Sequence, residues 1–102
     1  MSLIVVVTLV PKPDSHAALR EVLERYWPAV QQEEGCELYS LNENEKLFVA
    51  VEKWASREIW EKHLATPGNA ALGAELEPLL AEPLAVYDLA AVPLGDPAKN
   101  AI

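Results

Sequence analysis

The sequence has one cysteine, two histidines and four glycines, and each of these low counts excludes a class of site. A lone Cys36 excludes a disulfide within the chain, and with only His16 and His63 beside it no group has the ligand spacing of a zinc site. The glycines form neither of the common phosphate-binding loops. We therefore expect no metal and no nucleotide cofactor.

Basic residues are also few, eight against sixteen acidic ones, which gives a formal charge of −8. They are scattered singly, whereas nucleic acids are bound by clustered positive charge, so no nucleic-acid partner is expected. The longest strongly apolar run, residues 3–10, is too short for a membrane span and lacks a basic leader. These features predict a cytoplasmic protein with no membrane partner.

Hydrophobic periodicity predicts the order β-α-β-β-α-β in a single domain over residues 1–92. The predicted strands are residues 3–10, 36–42, 46–54 and 84–92, and the predicted helices are residues 14–35, 56–65 and 69–80. The second and third of these helices together occupy the place of one broken helix. Residues 93–102, with two prolines and a glycine, are predicted to form a C-terminal tail.

This order is that of the ferredoxin-like α+β fold, with a four-stranded antiparallel sheet and its helices on one face. Asn44 is predicted to turn the hairpin between the middle strands, because asparagine tolerates the positive φ that such turns need. The third strand places Val49 and Val51 on one side and equally apolar side chains on the other. Monomers rarely expose a large apolar patch, and a ten-residue tail is too short to cover four strands. We therefore expect a homodimer through the sheet face.

His63 is the one histidine on an apolar helix face, one turn from Ile59 and Trp60. Its reference pKa of about 6.5 makes it the best candidate for a general base at neutral pH. The alternative is a core histidine that is bonded to a backbone carbonyl. His16, in the first turn of the first helix, is interpreted as a surface residue.

Glu52 is the other unusual side chain, because it shares a strand face with apolar residues and lies two residues before Trp54. A buried carboxylate must be paired or have a raised pKa, and either state suits acid-base chemistry. The structural alternative is an ion pair with Arg20 or Arg25 on the first helix. The acidic residues around Glu33 are interpreted as a solvated turn.

Aromatic side chains occur at core periodicity in both the helices and the strands. They are Tyr26, Trp27, Tyr39, Phe48, Trp54 and Trp60. Such residues either line a pocket between helices and sheet or simply fill the core, and periodicity alone does not separate these alternatives.

Three short segments, taken together, are similar to the motifs of one known family. They are residues 34–39, Glu-Gly-Cys-Glu-Leu-Tyr; residues 48–54, Phe-Val-Ala-Val-Glu-Lys-Trp; and residues 63–67, His-Leu-Ala-Thr-Pro. They resemble Gly-Cys-x-x-Tyr, a strand ending in Glu-x-Trp, and His-Leu-x-[Ser/Thr]-Pro of the antibiotic biosynthesis monooxygenase family, which includes small quinol and anthrone monooxygenases. The order and spacing agree over about residues 3–90.

The resemblance implies a dimeric α+β barrel with a pocket in each subunit between sheet and helices. It also implies oxidation of an electron-rich, quinol-like or anthrone-like aromatic by O₂, without metal or flavin. His63 would be the base or a hydrogen-bond donor. The residues implied to line the substrate pocket are Thr8, Tyr39, Phe48, Glu52, Trp54 and Trp60.

Three positions depart from the family pattern. Gly68 stands where many members have a second histidine, Thr8 where many have an asparagine or arginine, and Gly73 where the haem-degrading branch has its axial histidine. Haem degradation is therefore a poor interpretation. A non-catalytic ligand-binding or stress-related dimer stays open, as does an isomerase or cyclase on the same scaffold.

Overall fold

A computed structural model describes residues 1–102 and contains one four-stranded antiparallel sheet with helices packed on one face. The elements are β1 Leu3–Leu9, α1 His16–Gln31, β2 Cys36–Glu43, β3 Phe48–Trp54, α2 Arg57–Leu64, α3 Pro67–Leu76, a 3₁₀ turn Glu77–Leu79, β4 Ala85–Leu89 and α4 Pro97–Asn100. The strand order is β2-β3-β1-β4. This topology confirms the predicted ferredoxin-like α+β fold.

The hairpin between β2 and β3 turns differently from the prediction. Asp14, just before α1, is the only non-glycine residue with a positive φ, at 69°, so Asn44 does not adopt one. The side-chain oxygen of Asn44 instead accepts the backbone N–H groups of Lys46 at 2.8 Å and Leu47 at 2.9 Å. The asparagine thus stabilises the turn through its side chain, and its own backbone stays in an ordinary conformation.

The connection from α1 to β2 depends on Gly35. Helix α1 continues through Pro28 and ends at Gln31, four residues before the predicted end, and Gly35 then adopts a φ of 81°. A Cβ at this glycine would lie 2.6 Å from two side-chain carbons of Ile59 in α2. The missing side chain therefore lets the start of β2 lie directly against α2.

Gly35→Ala is expected to lower the free energy of unfolding by about 3 kcal/mol, because it combines a strained φ with a methyl group that overlaps Ile59. Urea denaturation followed by tryptophan fluorescence measures the change. Gly95→Ala is the matched control, since Gly95 has a similar φ of 65° and open space around its Cβ. Equal losses in the two variants would contradict the role of the contact with Ile59.

Side chains alternate between a helix face and an open face of the sheet. The helix face carries Val5, Val7 and Leu9 of β1 and Phe48, Ala50, Glu52 and Trp54 of β3. The open face carries Ile4, Val6 and Thr8 of β1, Val49, Val51 and Lys53 of β3, and Tyr87 and Leu89 of β4. The core lies on the helix face, whereas Tyr87 is 54% and Leu89 45% exposed.

The C-terminal tail has more regular structure than the sequence predicts. Asp96 caps α4 by accepting the backbone N–H of Ala98 at 3.0 Å. Ile102 lines a shallow depression together with Ile4 and Lys53 of the open face. Neither α4 nor any longer helix combines the length and apolar character that a membrane crossing requires. The cytoplasmic location stays a prediction.

Candidate functional site

A cavity of about 170 Å³ lies between the helix face of the sheet and the packed helices. Thirteen of its seventeen lining residues are hydrophobic, and its few polar side chains come from β2, β3, α2 and α3. The partly exposed Leu84 and Val86 form part of its rim beside β4. An apolar cavity with a few convergent polar groups is the usual form of a small-molecule site.

Glu52 lies in the middle of β3 on the cavity wall and is 4% exposed. Its Oε1 accepts the indole N–H of Trp54 at 2.9 Å, and its Oε2 has no partner in the chain. The alternative of an ion pair with Arg20 or Arg25 is wrong, because both arginines pair with surface glutamates. Burial raises the pKa of Glu52 to about 7, and the hydrogen bond from Trp54 only partly opposes this rise.

The raised pKa makes the stability of the fold depend on the protonation of Glu52. Between pH 4.5 and pH about 7 the carboxyl of Glu52 keeps its proton in the folded chain, whereas the same carboxyl in the unfolded chain loses it. The contribution of this protonated carboxyl to the free energy of unfolding is therefore complete below pH 4.5 and is lost as the pH rises through about 7.

Glu52→Gln keeps the shape of the neutral carboxyl and should remove this pH dependence. We expect the variant to exceed the wild type by about 3 kcal/mol at pH 8 and to match it at pH 4.5, as urea denaturation at both pH values would measure. Glu45→Gln in the exposed hairpin controls for the general loss of a negative charge. A difference between Glu52→Gln and wild type that is the same at both pH values would contradict the prediction.

His63 is held by α2 between the cavity and the turn that precedes β2, and it is 5% exposed. Its Nδ1 lies 3.0 and 3.2 Å from the two carboxylate oxygens of Glu33, and its ring stacks on Trp54 with centroids 4.6 Å apart. A carboxylate only accepts hydrogen bonds, so in the neutral ring this contact places the proton on Nδ1 and leaves the lone pair of Nε2 free. Nε2 has no partner in the chain.

Glu33 is a functional candidate that the sequence pattern does not reveal. The prediction of a solvated turn is wrong for this residue, because its carboxylate orients the imidazole of His63. The contact joins residues that are thirty positions apart and exists because the turn at Gly35 brings the end of α1 beside α2. The one signal in the sequence is the position of Glu33 just before the Glu-Gly-Cys segment.

Tyr39 lies directly opposite Glu52 in the pairing of β2 with β3. Its ring packs on Trp27 with centroids 4.1 Å apart, and the indole of Trp27 donates a hydrogen bond of 2.9 Å to the Tyr39 carbonyl. The hydroxyl of Tyr39 has no partner in the chain. Burial, followed by the charge of Glu52, raises the pKa of Tyr39, so its hydroxyl stays a hydrogen-bond donor at neutral pH.

Four of the seven predicted site residues meet at the cavity. They are Tyr39, Glu52, Trp60 and His63. Trp54 is fully buried and does not line the cavity, but it contacts both acid-base residues through its hydrogen bond to Glu52 and its stacking on His63. Trp54 therefore positions Glu52 and His63 without lining the cavity itself.

Phe48 and Thr8 do not line this cavity, although the resemblance implied that they line the substrate pocket. Phe48 occupies the far end of β3, where it packs in the core and stacks on His16 with centroids 4.4 Å apart. Thr8 lies on the open face, because alternate residues of β1 point away from the helices. His16 in turn is more than a surface residue, since its Nε2 lies 2.9 Å from Glu43 and its Nδ1 is buried without a partner.

The residues around the cavity offer little to a metal ion. No three His, Cys, Asp or Glu side chains converge as a metal site would require. Gly73 of α3 lines the cavity, and a Cβ there would meet no atom within 4 Å. The polar chemistry of the cavity is therefore that of an imidazole, a carboxyl, a phenol and the carboxamide of Asn69.

The sequence pattern of the family described as “Antibiotic biosynthesis monooxygenase” matches residues 2–73 of this chain. A relative from Mycobacterium tuberculosis, named “Putative monooxygenase Rv0793”, is 32% identical over 88 residues, which cover 84% of this chain and 87% of the relative. The structure of Rv0793 matches with a TM-score of 0.84 at 31% identity and covers 94% of this chain and 98% of its own. A structure from Deinococcus radiodurans matches with a TM-score of 0.82 at 28% identity, covering 92% and 96%. The chain therefore belongs to the antibiotic biosynthesis monooxygenase family.

Proposed function

We propose that the protein is a cofactor-independent monooxygenase that uses O₂ to oxidise an electron-rich aromatic of the quinol or anthrone type. The observation that carries this proposal is the state of His63, which is buried at the cavity wall with Nδ1 held by Glu33 and Nε2 free. An oriented base in an apolar cavity is what such a reaction needs from the protein. Membership of the family supports the monooxygenase class.

His63 begins the proposed reaction by accepting the hydroxyl proton of the substrate at Nε2. The positive charge that forms on the ring is stabilised by the carboxylate of Glu33, 3.0 Å from Nδ1. The aromatic anion is a much stronger electron donor than the neutral substrate. Deprotonation is therefore the step that permits a reaction with O₂.

The aromatic anion then passes one electron to O₂, and the two radicals combine to form a bond between a ring carbon and oxygen. The O–O bond then breaks, and one oxygen stays on the ring as a carbonyl. The other oxygen leaves as water, which takes one proton from the oxygenated ring carbon and one from His63. A phenol and O₂ thus give a quinone and water. The Tyr39 hydroxyl and the neutral carboxyl of Glu52 are donors that stabilise the negative oxygen as it forms.

Isotopically labelled O₂ tests the proposed reaction. Purified protein is incubated with a panel of hydroquinones and anthrones while O₂ uptake is recorded against protein-free samples. We expect uptake to depend on the protein and one labelled oxygen to appear in each product molecule. A product without label, formed at the same rate with and without O₂, would contradict a monooxygenase.

An isomerase or cyclase is the second candidate, because His63 as a base and Glu52 as an acid face the same apolar cavity. A base and an acid with separated roles suit the enolisation of a carbonyl compound. Conversion without O₂ uptake would favour this candidate over the monooxygenase. Tight binding without any conversion would favour a ligand-binding protein instead.

We further propose that the protein forms a homodimer through the open face of the sheet. Its accessible surface is 6612 Å², whereas a compact monomer of 11.2 kDa exposes about 5,700 Å². This excess of about 900 Å² is shared by the uncovered open face and the exposed residues 93–102. The open face supplies the apolar area, because no helix covers it.

A further inference from the structure

We propose that the cavity takes an uncharged, single-ring aromatic diol, with one hydroxyl group at His63 and the other beside Glu52 and Tyr39. The inference rests on the proposed function and narrows its substrate, which family resemblance leaves open between one-ring quinols and three-ring anthrones. It is carried by the size of the cavity, by the charges on its wall and by the unpartnered atoms that face into it.

The size of the cavity favours one ring. Its volume is about 170 Å³, and an engineered apolar cavity of about 150 Å³ in another protein holds benzene. A ring that carries two hydroxyl groups fits this space, whereas three fused rings exceed it unless the wall moves or the ligand extends past the exposed rim at Leu84 and Val86. The wall includes Leu72 and Leu76, which are buried parts of the core and resist such movement.

The charges on the wall favour a neutral ligand. No lysine or arginine lines the cavity, and its ionisable side chains are Tyr39, Glu52 and His63. A carboxylate or phosphate on the ligand would lie near Glu52 with no lysine or arginine to pair with it, in a cavity whose lining is mostly hydrophobic. Aromatic acids should therefore bind much more weakly than neutral phenols of the same size.

The unpartnered atoms favour two hydroxyl groups rather than one. Tyr39, Glu52 and His63 are each more than nine-tenths buried, and the Tyr39 hydroxyl, Glu52 Oε2 and His63 Nε2 have no partner in the chain. Tyr39 and Glu52 are neighbours on the sheet, whereas His63 comes from α2. A ring with one hydroxyl group satisfies only one of these two positions and leaves the other buried group unpaired.

Anaerobic isothermal titration calorimetry at pH 7 tests the inference without any oxidation. The probes are hydroquinone, phenol, 2,5-dihydroxybenzoate and anthracene-9,10-diol. We expect hydroquinone to bind at least tenfold more tightly than each of the other three, since one unpaired buried group or one unpaired charge corresponds to about a factor of ten or more. Equal or tighter binding of the benzoate or of the three-ring diol would overturn the inference.

Two glycines of α3 provide a matched pair of variants that locates the binding site. A Cβ at Gly73 or at Gly68 would meet no atom within 4 Å, but only Gly73 lines the cavity. Gly73→Leu should weaken hydroquinone binding at least tenfold, and Gly68→Leu should leave it within twofold of wild type. Gly73→Ala is a smaller step in the same direction if the leucine variant unfolds. Equal affinities in the Gly73 and Gly68 variants would place the ligand elsewhere and overturn the inference.

Glu52→Gln separates the effect of charge from that of shape. The amide keeps the size and hydrogen bonding of the carboxyl, so at pH 8, where Glu52 is mostly ionised, the ratio between the affinities for hydroquinone and 2,5-dihydroxybenzoate should fall at least threefold. An unchanged ratio would contradict the role of the carboxyl in excluding acids.

If the binding order holds but no O₂ is consumed in air, the proposed oxidation fails and the ligand class stands. If anthrones are oxidised and bind better than hydroquinone, the ligand class fails and the oxidation stands.

Discussion

Replacing His63 by glutamine is expected to lower the protein-dependent rate of hydroquinone oxidation by roughly 10²–10⁴-fold, the usual contribution of a general base. Glutamine keeps a polar side chain of similar length but has no lone pair that accepts a proton at neutral pH. The rate is measured as O₂ uptake at saturating substrate, with the uncatalysed oxidation subtracted. His16→Gln is the matched control, because His16 contacts Phe48 and Glu43 rather than the cavity.

Glu33 provides a second and more selective test of the same mechanism. Its carboxylate contacts His63 at Nδ1 and does not line the cavity, so it acts as a positioning residue. Glu33→Gln should lower kcat about tenfold and change KM little, because the amide still orients the ring but no longer stabilises its positive charge. Full activity in both the His63 and the Glu33 variants would exclude the imidazole from the reaction.

The fold was predictable because the apolar strands, the helical periodicity of α1 and the side-chain caps of α2 and α3 all point to the same order of elements. The strand order also follows from the β-α-β-β-α-β pattern once the ferredoxin-like topology is assumed. Helix ends were less predictable, as α1 shows, because it ends at Gln31 and the following turn brings Gly35 against Ile59 of a distant helix. Such a contact leaves no periodic trace in the sequence.

The site was predictable only in part, and the reason differs from one residue to the next. Period-two alternation gives the two faces of β1 but does not say which face meets the helices when both are apolar. The resemblance alone implied that Thr8 faces the pocket, and the strand places it on the open face. Phe48 is on the helix face but lies four residues from Glu52, a distance of about 13 Å along a strand. Glu33 was missed because its role exists only through a tertiary contact.

The open face is where a single substitution should have its largest effect on assembly. Val51 lies near the centre of this face, opposite Val6 of β1 and Ser40 of β2. In a separate subunit a glutamate at this position would be partly exposed to water, so the fold should tolerate it. In the proposed dimer the same carboxylate would be buried in an apolar interface twice, once from each subunit. The penalty is several kcal/mol for each buried ion, which exceeds what such an interface can absorb.

Val51→Glu is therefore expected to convert the dimer into a folded monomer. Light scattering at micromolar concentration should give about twice 11.2 kDa for the wild type and about 11.2 kDa for the variant, with circular dichroism unchanged. Ala74→Glu adds the same charge to the exposed surface of α3 and should leave the dimer intact. A wild-type mass near 11.2 kDa would contradict the dimer itself. A Val51→Glu variant that remained a dimer would contradict only the choice of interface.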